Sequence, residues 1–398
     1  MSEAVHYILA MLQHVASFCL AASVCLYAAQ AAAGLWFAHK SASPPPLPKN
    51  LPLVALLKPL HGVSRELPEC LETFFRLDYP RKLFVFGITD ESDPAGQVVE
   101  SMKRRHPSEA VITTVGEEPA SNRKIGKLAR MVRAVPDADI IVMTDADMEV
   151  APDYLCRVVA ELQQDHTVGL VTCACRARPS GPALAARLEA LFVNTDFTPI
   201  ALLSNIIEPM RHAYSATIAI RREVLDAAGG LEKIKNCSGD DIILGRRVAQ
   251  AGYKVRLSSA VVTNVTDQTT IAEFWQRELR GARVDRIARP ISTAKILING
   301  PFWGAALLAV SGFSGWTLGV MVSVLLARLA LAALILERVL RLPRSALRDL
   351  WLVPLKDLFM AAVWFVGLRG NTVQWRSRRL RLLPNGLYEE IEPPKSAI

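Results

Sequence analysis

The 398-residue chain has no CxxC pair among its seven cysteines and no HxxxH or HExxH among its seven histidines. The first absence removes a disulfide framework or redox motif and leaves buried, reduced thiols in a reducing compartment. The second removes zinc hydrolysis. GxGxxG and GxxxxGK[ST] are missing too, so neither a Rossmann dinucleotide site nor a P-loop is supported. Between residues 7 and 37 there is no Asp, Glu, Lys or Arg, which is ample for the roughly 20 residues of a bilayer span. The run lacks a basic n-region and exceeds a signal-peptide core of about 7–15 residues, so cleavage is not expected. Lys40 and Lys49 follow it, and the positive-inside rule then puts the next domain in the cytoplasm.

What the chain has in excess is apolar residues, 51% of the total, gathered at its two ends. Residues 302–336 are apolar except for Arg328, long enough for a hairpin of two spans broken near 311–315. A weaker segment, 350–368, contains Pro354, Lys356 and Asp357. If all three crossed the bilayer, the basic run 376–381 would lie outside, so 350–368 is expected to be re-entrant or interfacial. The net charge is +8. Its basic residues gather beside apolar segments, which favours an anionic membrane surface over nucleic acid.

Between the ends the pattern alternates. SASPPPLP, within 41–50, is a stiff proline-rich linker. Strands are expected at 53–57, 83–88 and 111–115, and helices at 66–75, 95–105 and 125–135. A central strand begins at 140, a helix covers 154–162 and a strand 168–172. Then come a strand at 215–220, a helix at 221–228 closed by Gly229-Gly230, and strand segments at 255–257 and 261–264. Such alternation predicts a doubly wound α/β sheet, whose ligands bind outside the carboxyl ends of its strands.

The central stretch, IIVMTDADMEV over 140–150, is an apolar strand that stops at Asp145-Ala146-Asp147. Paired carboxylates there suit Mg²⁺ or Mn²⁺ bridging to a phosphate, or simply form an acidic turn. A second acidic strand end, Asp90, falls on the same edge. Asp240 and Asp241 open the helix that reads IILGRRVAQAGY, where a carboxylate caps the helix or serves chemistry. Residues 271–289 form a basic amphipathic helix with Arg277, Arg280, Arg283, Arg286 and Arg289. An interfacial position facing headgroups and a diphosphate suits it, as does a solvated face.

Six stretches carry a resemblance: LLKPLHGV, LETFFRLDYP, TDESDPA, TDADMEV, SATIAIRREVLDAAGG and GDDIILG. In this order they resemble the ceramide glucosyltransferase family, a membrane branch of the inverting GT-A glycosyltransferases of families 2 and 21. They are similar also to bacterial relatives that glycosylate hopanoids. The resemblance runs from residue 53 to 289 and extends to the flanking spans. It implies a GT-A doubly wound mixed sheet with an N-terminal transmembrane helix and C-terminal transmembrane or interfacial helices. The expected division is an anchor at 1–40, a linker at 41–50, a cytosolic catalytic domain at 51–270, an interfacial helix at 271–295 and a membrane region at 296–398.

The same resemblance implies hexosyl transfer from a UDP-sugar to a membrane lipid hydroxyl, with Mg²⁺ or Mn²⁺, at a bacterial inner membrane. Glucose and ceramide come first, N-acetylglucosamine and a hopanoid polyol second. Asp90 would receive the uracil or ribose. Asp145 and Asp147 would hold nucleotide and metal, with Asp147 the direct ligand, and Lys124 would join the nucleotide-sugar residues. Asp241 matches the family's general base, with Asp240 beside it. Arg277 and Arg280 match the first and fourth positions of the (Q/R)xxRW motif, facing diphosphate or acceptor. The motif's tryptophan is Gly281 here, which removes an aromatic wall beside the acceptor. A processive polysaccharide synthase shares the aspartates but needs a channel of more helices. A catalytically dead scaffold would be expected to have lost its carboxylates.

Overall fold

A long apolar helix, α1 (Glu3–Lys40), precedes the sheet. The computed structural model describes residues 3–43, 45–267, 270–375, 378–384 and 386–391. Pro44 of the linker and Arg376 of the basic run lie outside the described residues.

Four strands and three helices then alternate: β1 (Val54–Pro59), α2 (Leu67–Phe75), β2 (Lys82–Ile88), α3 (Ala95–Arg105), β3 (Val111–Val115), α4 (Arg123–Arg133) and β4 (Ile140–Thr144). After them come β5 (Met148–Glu149), α5 (Tyr154–Gln163), β6 (Val168–Pro179), α6 (Leu184–Phe192), α7 (Thr198–Ile207), β7 (Thr217–Arg221), α8 (Arg222–Ala227), α9 (Asp240–Gln250) and β8 (Lys254–Thr266). They build one sheet in the order β3-β2-β1-β4-β7-β6-β8-β5. β1 to β4 run parallel, whereas β7 is antiparallel to both β4 and β6. The mixed, doubly wound sheet expected from the sequence is therefore present. Alternating side chains of one strand serve opposite faces: in β1, Val54 and Leu56 join the core with Phe74 and Tyr154, while Ala55 and Leu57 face α4 and the helices beyond.

The sheet's later half differs from expectation in extent. β6 runs seven residues past 172, and 255–257 and 261–264 are one strand, β8, paired with β6 across two register shifts. The helical run 184–207 has no counterpart in the sequence reading. Its apolar residues face the protein on several sides rather than one, so they form no amphipathic stripe, and Asn194, Thr195 and Asp196 interrupt it with a wider π-turn.

The remaining helices are α10 (Ile271–Ala288), α11 (Gly300–Ser311), α12 (Gly315–Leu334) and α13 (Val353–Gly367). α10 opens on a capping box between Thr270 and Glu273. Among the described residues, four helices are long and apolar enough to cross a membrane: Glu3–Lys40, Leu184–Ile207, Gly315–Val339 and Arg344–Gly367. The expected break between two spans is present at 312–314. A sharp bend lies elsewhere than 350–368: the 290–298 and 300–311 helices meet at 66°.

The charges that interrupt these apolar helices are buried together. Arg328 of α12 donates from Nε to Asp357 Oδ2 at 3.0 Å and also meets Asp196. Lys356 Nζ lies 2.5 Å from Asp196 Oδ2 and contacts Asp357 as well. Paired positive and negative groups of this kind are the arrangement in which ionisable side chains are tolerated away from water. Finally β9 (Thr372–Trp375), β10 (Arg378–Leu382) and β11 (Tyr388–Glu390) form a small antiparallel sheet, which the basic composition of 376–381 concealed.

Candidate active site

The carboxyl ends of β1, β2 and β4 share one edge, and the acidic residues stand there. Asp145 follows β4 directly. Its Oδ1 is 2.5 Å from Lys124 Nζ, on the first turn of α4. Lys124 is placed by its neighbour Asn122, the N-cap, whose Oδ1 accepts from Ile125 N–H at 3.3 Å. Beneath the turn, buried Lys58 donates to Asp145 O at 2.8 Å and stands over the Phe74 ring. Burial pulls its amine down to about 7, against the pull of Asp147 and Asp145.

Asp147 reaches the open end of the turn. The protein mass around it and the adjacent charge of Asp145 hold its carboxyl above the usual carboxylate range. Asp90 lies on the same edge but is exposed. It accepts from Ser92 N–H at 2.8 Å and Ser92 Oγ–H at 2.5 Å, and these bonds hold its carboxyl low.

Asp240 and Asp241 begin α9 after Gly239, whose φ of +64° favours glycine. Asn122 Nδ2 donates to Asp240 Oδ1 at 3.1 Å, joining the start of α4 to the start of α9. Asp241 accepts from Ser215 N–H at 3.1 Å and Ile242 N–H at 2.9 Å. Desolvation, then repulsion from Asp240, push its carboxyl up to about 7. Lys124 serves both halves: desolvation opposes its charge, but Asp145, Asp240 and Asp241 together raise its pKa.

The glycine of the IILG run has a steric reason. A Cβ on Gly245 would lie 2.5 Å from His212 Cα and 2.8 Å from Ala213 N, so α9 rests directly on that backbone. Ala213 N–H then donates to Asp241 O at 3.2 Å.

Sequence reasoning missed the residues of this second wall. His212 and Tyr214 are buried, with 3.2 Å between His212 Nε2 and the Tyr214 hydroxyl, and Arg289 donates to His212 Nε2 at 2.9 Å. Burial, with Arg289 beside it, brings His212 down to about 4, so it is neutral at pH 7. Asp285 of α10 contributes negative charge to Asp241 and Tyr214. Only the short polar cluster before SATIAI signalled His212 and Tyr214, whereas Arg289 was already named in the basic helix. Of the motif arginines, Arg277 pairs with Glu189 of α6, and Arg280 lies near enough to Tyr388 to affect its hydroxyl. Gly281 is exposed, and a Cβ there would meet nothing within 4 Å.

Asp145 and Asp147 offer hard oxygen donors, and a cation between them would relieve the repulsion that raises Asp147. Among the described residues, no three His, Cys, Asp or Glu side chains are grouped to hold a metal by themselves. Remaining ligands would come from a diphosphate and water, the usual situation for Mg²⁺. The donor set fits such an ion.

Residues 12–388 match the family model described as Glycosyl transferase family 21. The chain belongs to this family. Its doubly wound mixed sheet is correspondingly of the GT-A class. This family 21 chain is 25% identical over 242 residues to ceramide glucosyltransferase 1 of Caenorhabditis elegans, covering 60% of the chain and 50% of that relative. It is 22% identical over 354 residues to ceramide glucosyltransferase 3 of the same organism, covering 87% and 75%. The chain thus spans half the length of the first relative. A solved mannosyltransferase, PcManGT from Pyrobaculum calidifontis with GDP-Man and Mn²⁺, aligns with TM-score 0.49 and 20% identity over 88% of this chain and 99% of its own.

Proposed function

We propose that the chain is a membrane-associated glycosyltransferase that moves a sugar from a UDP-sugar to a lipid hydroxyl with inversion, glucose to ceramide first. The observation that carries this is Asp241, a partly buried carboxylate at about pKa 7, joined through Lys124 to the acidic turn of β4. A base poised near neutral pH is what an alcohol nucleophile requires.

Asp241 takes the hydroxyl proton while the acceptor oxygen forms its bond to the anomeric carbon. The bond from that carbon to the diphosphate oxygen breaks, its electron pair leaving with UDP. Attack opposite the leaving group inverts the anomer. Lys124 balances charge on the donor side, and Asp90 receives the nucleoside. Asp147 with Asp145 would hold Mg²⁺ or Mn²⁺, which supplies Lewis-acid stabilisation of the departing diphosphate when bound. Arg280 stands on the acceptor side. The apolar helices hold the site at the bilayer surface, with the sheet on the cytoplasmic side of a bacterial inner membrane and α10 against anionic headgroups.

Gly281 favours a second acceptor. Gly281 is exposed, with open space where the motif's tryptophan ring would stand, and that missing wall is the ground for a bulkier acceptor, a hopanoid polyol, with N-acetylglucosamine as the sugar. Purified, detergent-solubilised protein with Mn²⁺ or Mg²⁺ decides between them. It is offered UDP-glucose or UDP-N-acetylglucosamine with ceramide, diacylglycerol or a hopanoid polyol, and Asp241→Asn is the control. Glycolipid formed by the native chain and lost in the variant supports the reading. Neither turnover nor UDP-sugar binding in folded protein sinks it.

A further inference from the structure

The last strands of the chain lie against the loop that delivers the base. Ser238 donates to Gly386 O from both its N–H and its Oγ–H, each at 2.8 Å. Tyr388 N–H donates to Asn236 O at 3.0 Å, and Cys237 pairs with Leu387 as an antiparallel bridge. These bonds and the single bridge tie residues 236–238 to residues 386–388, just before Asp240 and Asp241. Arg378 Nη1 reaches Ser121 O at 3.2 Å, beside the N-cap residue that bonds Asp240.

The other side of the same loop is closed by α10. The Tyr388 ring is buried with Val373, Leu380 and Leu382, and this small core packs on Val284 and Ile287 of α10. A Cβ on Gly239 would lie 3.3 Å from Val284 Cγ1. The turn at 236–239 is therefore held between a helix and a sheet more than 130 residues later in the chain.

We propose that the C-terminal sheet is a positioning element of the active site: anchored by Tyr388, it clamps residues 236–239 and so fixes Asp241 in its water-poor setting. The inference rests on the reading of Asp241 as base. Fold and sheet separate the work. The Gly245 approach and the Ser215 amide set where Asp241 points, whereas the sheet closes the side left open to water. The charged and titratable groups facing Asp241 are Asp240, Lys124, Asp285, Tyr214 and Tyr388. Burial, opposed by Arg280, takes the Tyr388 hydroxyl up to about 12, so it remains neutral at working pH.

Removing the ring loosens the clamp, admits water and returns Asp241 toward an ordinary carboxylate, a weaker base. In the full-length protein, Tyr388→Ala is expected to lower kcat about tenfold and move the acid limb of its pH profile down by about half a unit. Donor binding by UDP titration stays unchanged, and amides of 236–242 exchange hydrogen faster while those of β1 and β4 do not. Tyr388→Phe, which keeps the ring, restores the native limb. Ser238→Ala, which removes one clamp bond and leaves the small core intact, shifts limb and exchange in the same direction by less. An unchanged limb with unchanged exchange at 236–242 in Tyr388→Ala overturns the proposal, even if the melting temperature falls. If the native chain transfers no sugar, the function reading fails, and the exchange measurement alone still decides whether the sheet clamps the loop.

Discussion

Lys124 Nζ lies 2.5 Å from Asp145 Oδ1, and the charges of Asp240 and Asp241 also act on it. One ammonium thus links the acidic turn after β4 to the start of α9. Replacing it leaves three carboxylates without their shared cation. Lys124→Met is expected to lower kcat/KM by about two orders of magnitude. Because Lys124 holds the Asp241 carboxyl down, its loss also moves the acid limb of the rate profile above its native position near 7. Steady-state rates from pH 5 to 9 check both.

Asp241 is charged, and competent as a base, above its folded value of about 7. Native turnover should therefore rise as pH increases through 7. Asp241→Asn should lose about 10²–10⁴-fold in kcat while still binding UDP, as calorimetry would report.

Asp147→Asn removes one of the two hard donors of the turn. UDP-sugar binding by the variant should no longer respond to added Mn²⁺ or Mg²⁺, whereas chelation should weaken binding by the native chain. Equal binding with and without the ion in native protein speaks against the metal assignment.

Gly245→Ala places a methyl group 2.5 Å from His212 Cα, a backbone atom that no rotamer change can move aside. Overpacking costs about 1–3 kcal/mol, and α9 carries Asp241 with it. Melting temperature and kcat should fall together.

The buried quartet makes a contrast with these surface-edge charges. Asp357→Asn leaves Arg328 and Lys356 sharing Asp196 alone and is expected to cost about 3–5 kcal/mol, the penalty for a broken buried pair. Thermal unfolding in detergent measures it. His212 gives an acid-side signature: the unfolded chain binds its proton below 6.5, the folded one only below about 4. Stability attributable to this residue is lost as pH falls through that window, and His212→Gln should reduce the loss.

Much of the site was legible before any coordinates. Two apolar strands led into acidic residues, Asp90 and Asp145, and the parallel arrangement of β1, β2 and β4 puts those ends on one edge as a matter of topology. The GDDIILG run located α9 and the carboxylates of its first turn, although Gly239 rather than an aspartate stands at the N-cap. The helices over 184–207 were not legible because their burial on several sides erases periodicity. Nor were His212 and Tyr214, which belong to no motif and acquire meaning only where Gly245 lets α9 settle on them.

The sequence by itself determined the doubly wound sheet, the apolar helices at the two ends of the chain and the acidic residues at the sheet's edge, because local periodicity and strand polarity decide those. Which charges meet was decided by tertiary structure alone. Asn122 reaches Asp240 across 118 positions, Arg328 reaches Asp196 across 132, and Ser238 reaches Gly386 across 148. Hydrogen bonds and ion pairs act over a few ångströms, and only the packed chain brings residues so far apart in sequence within that range.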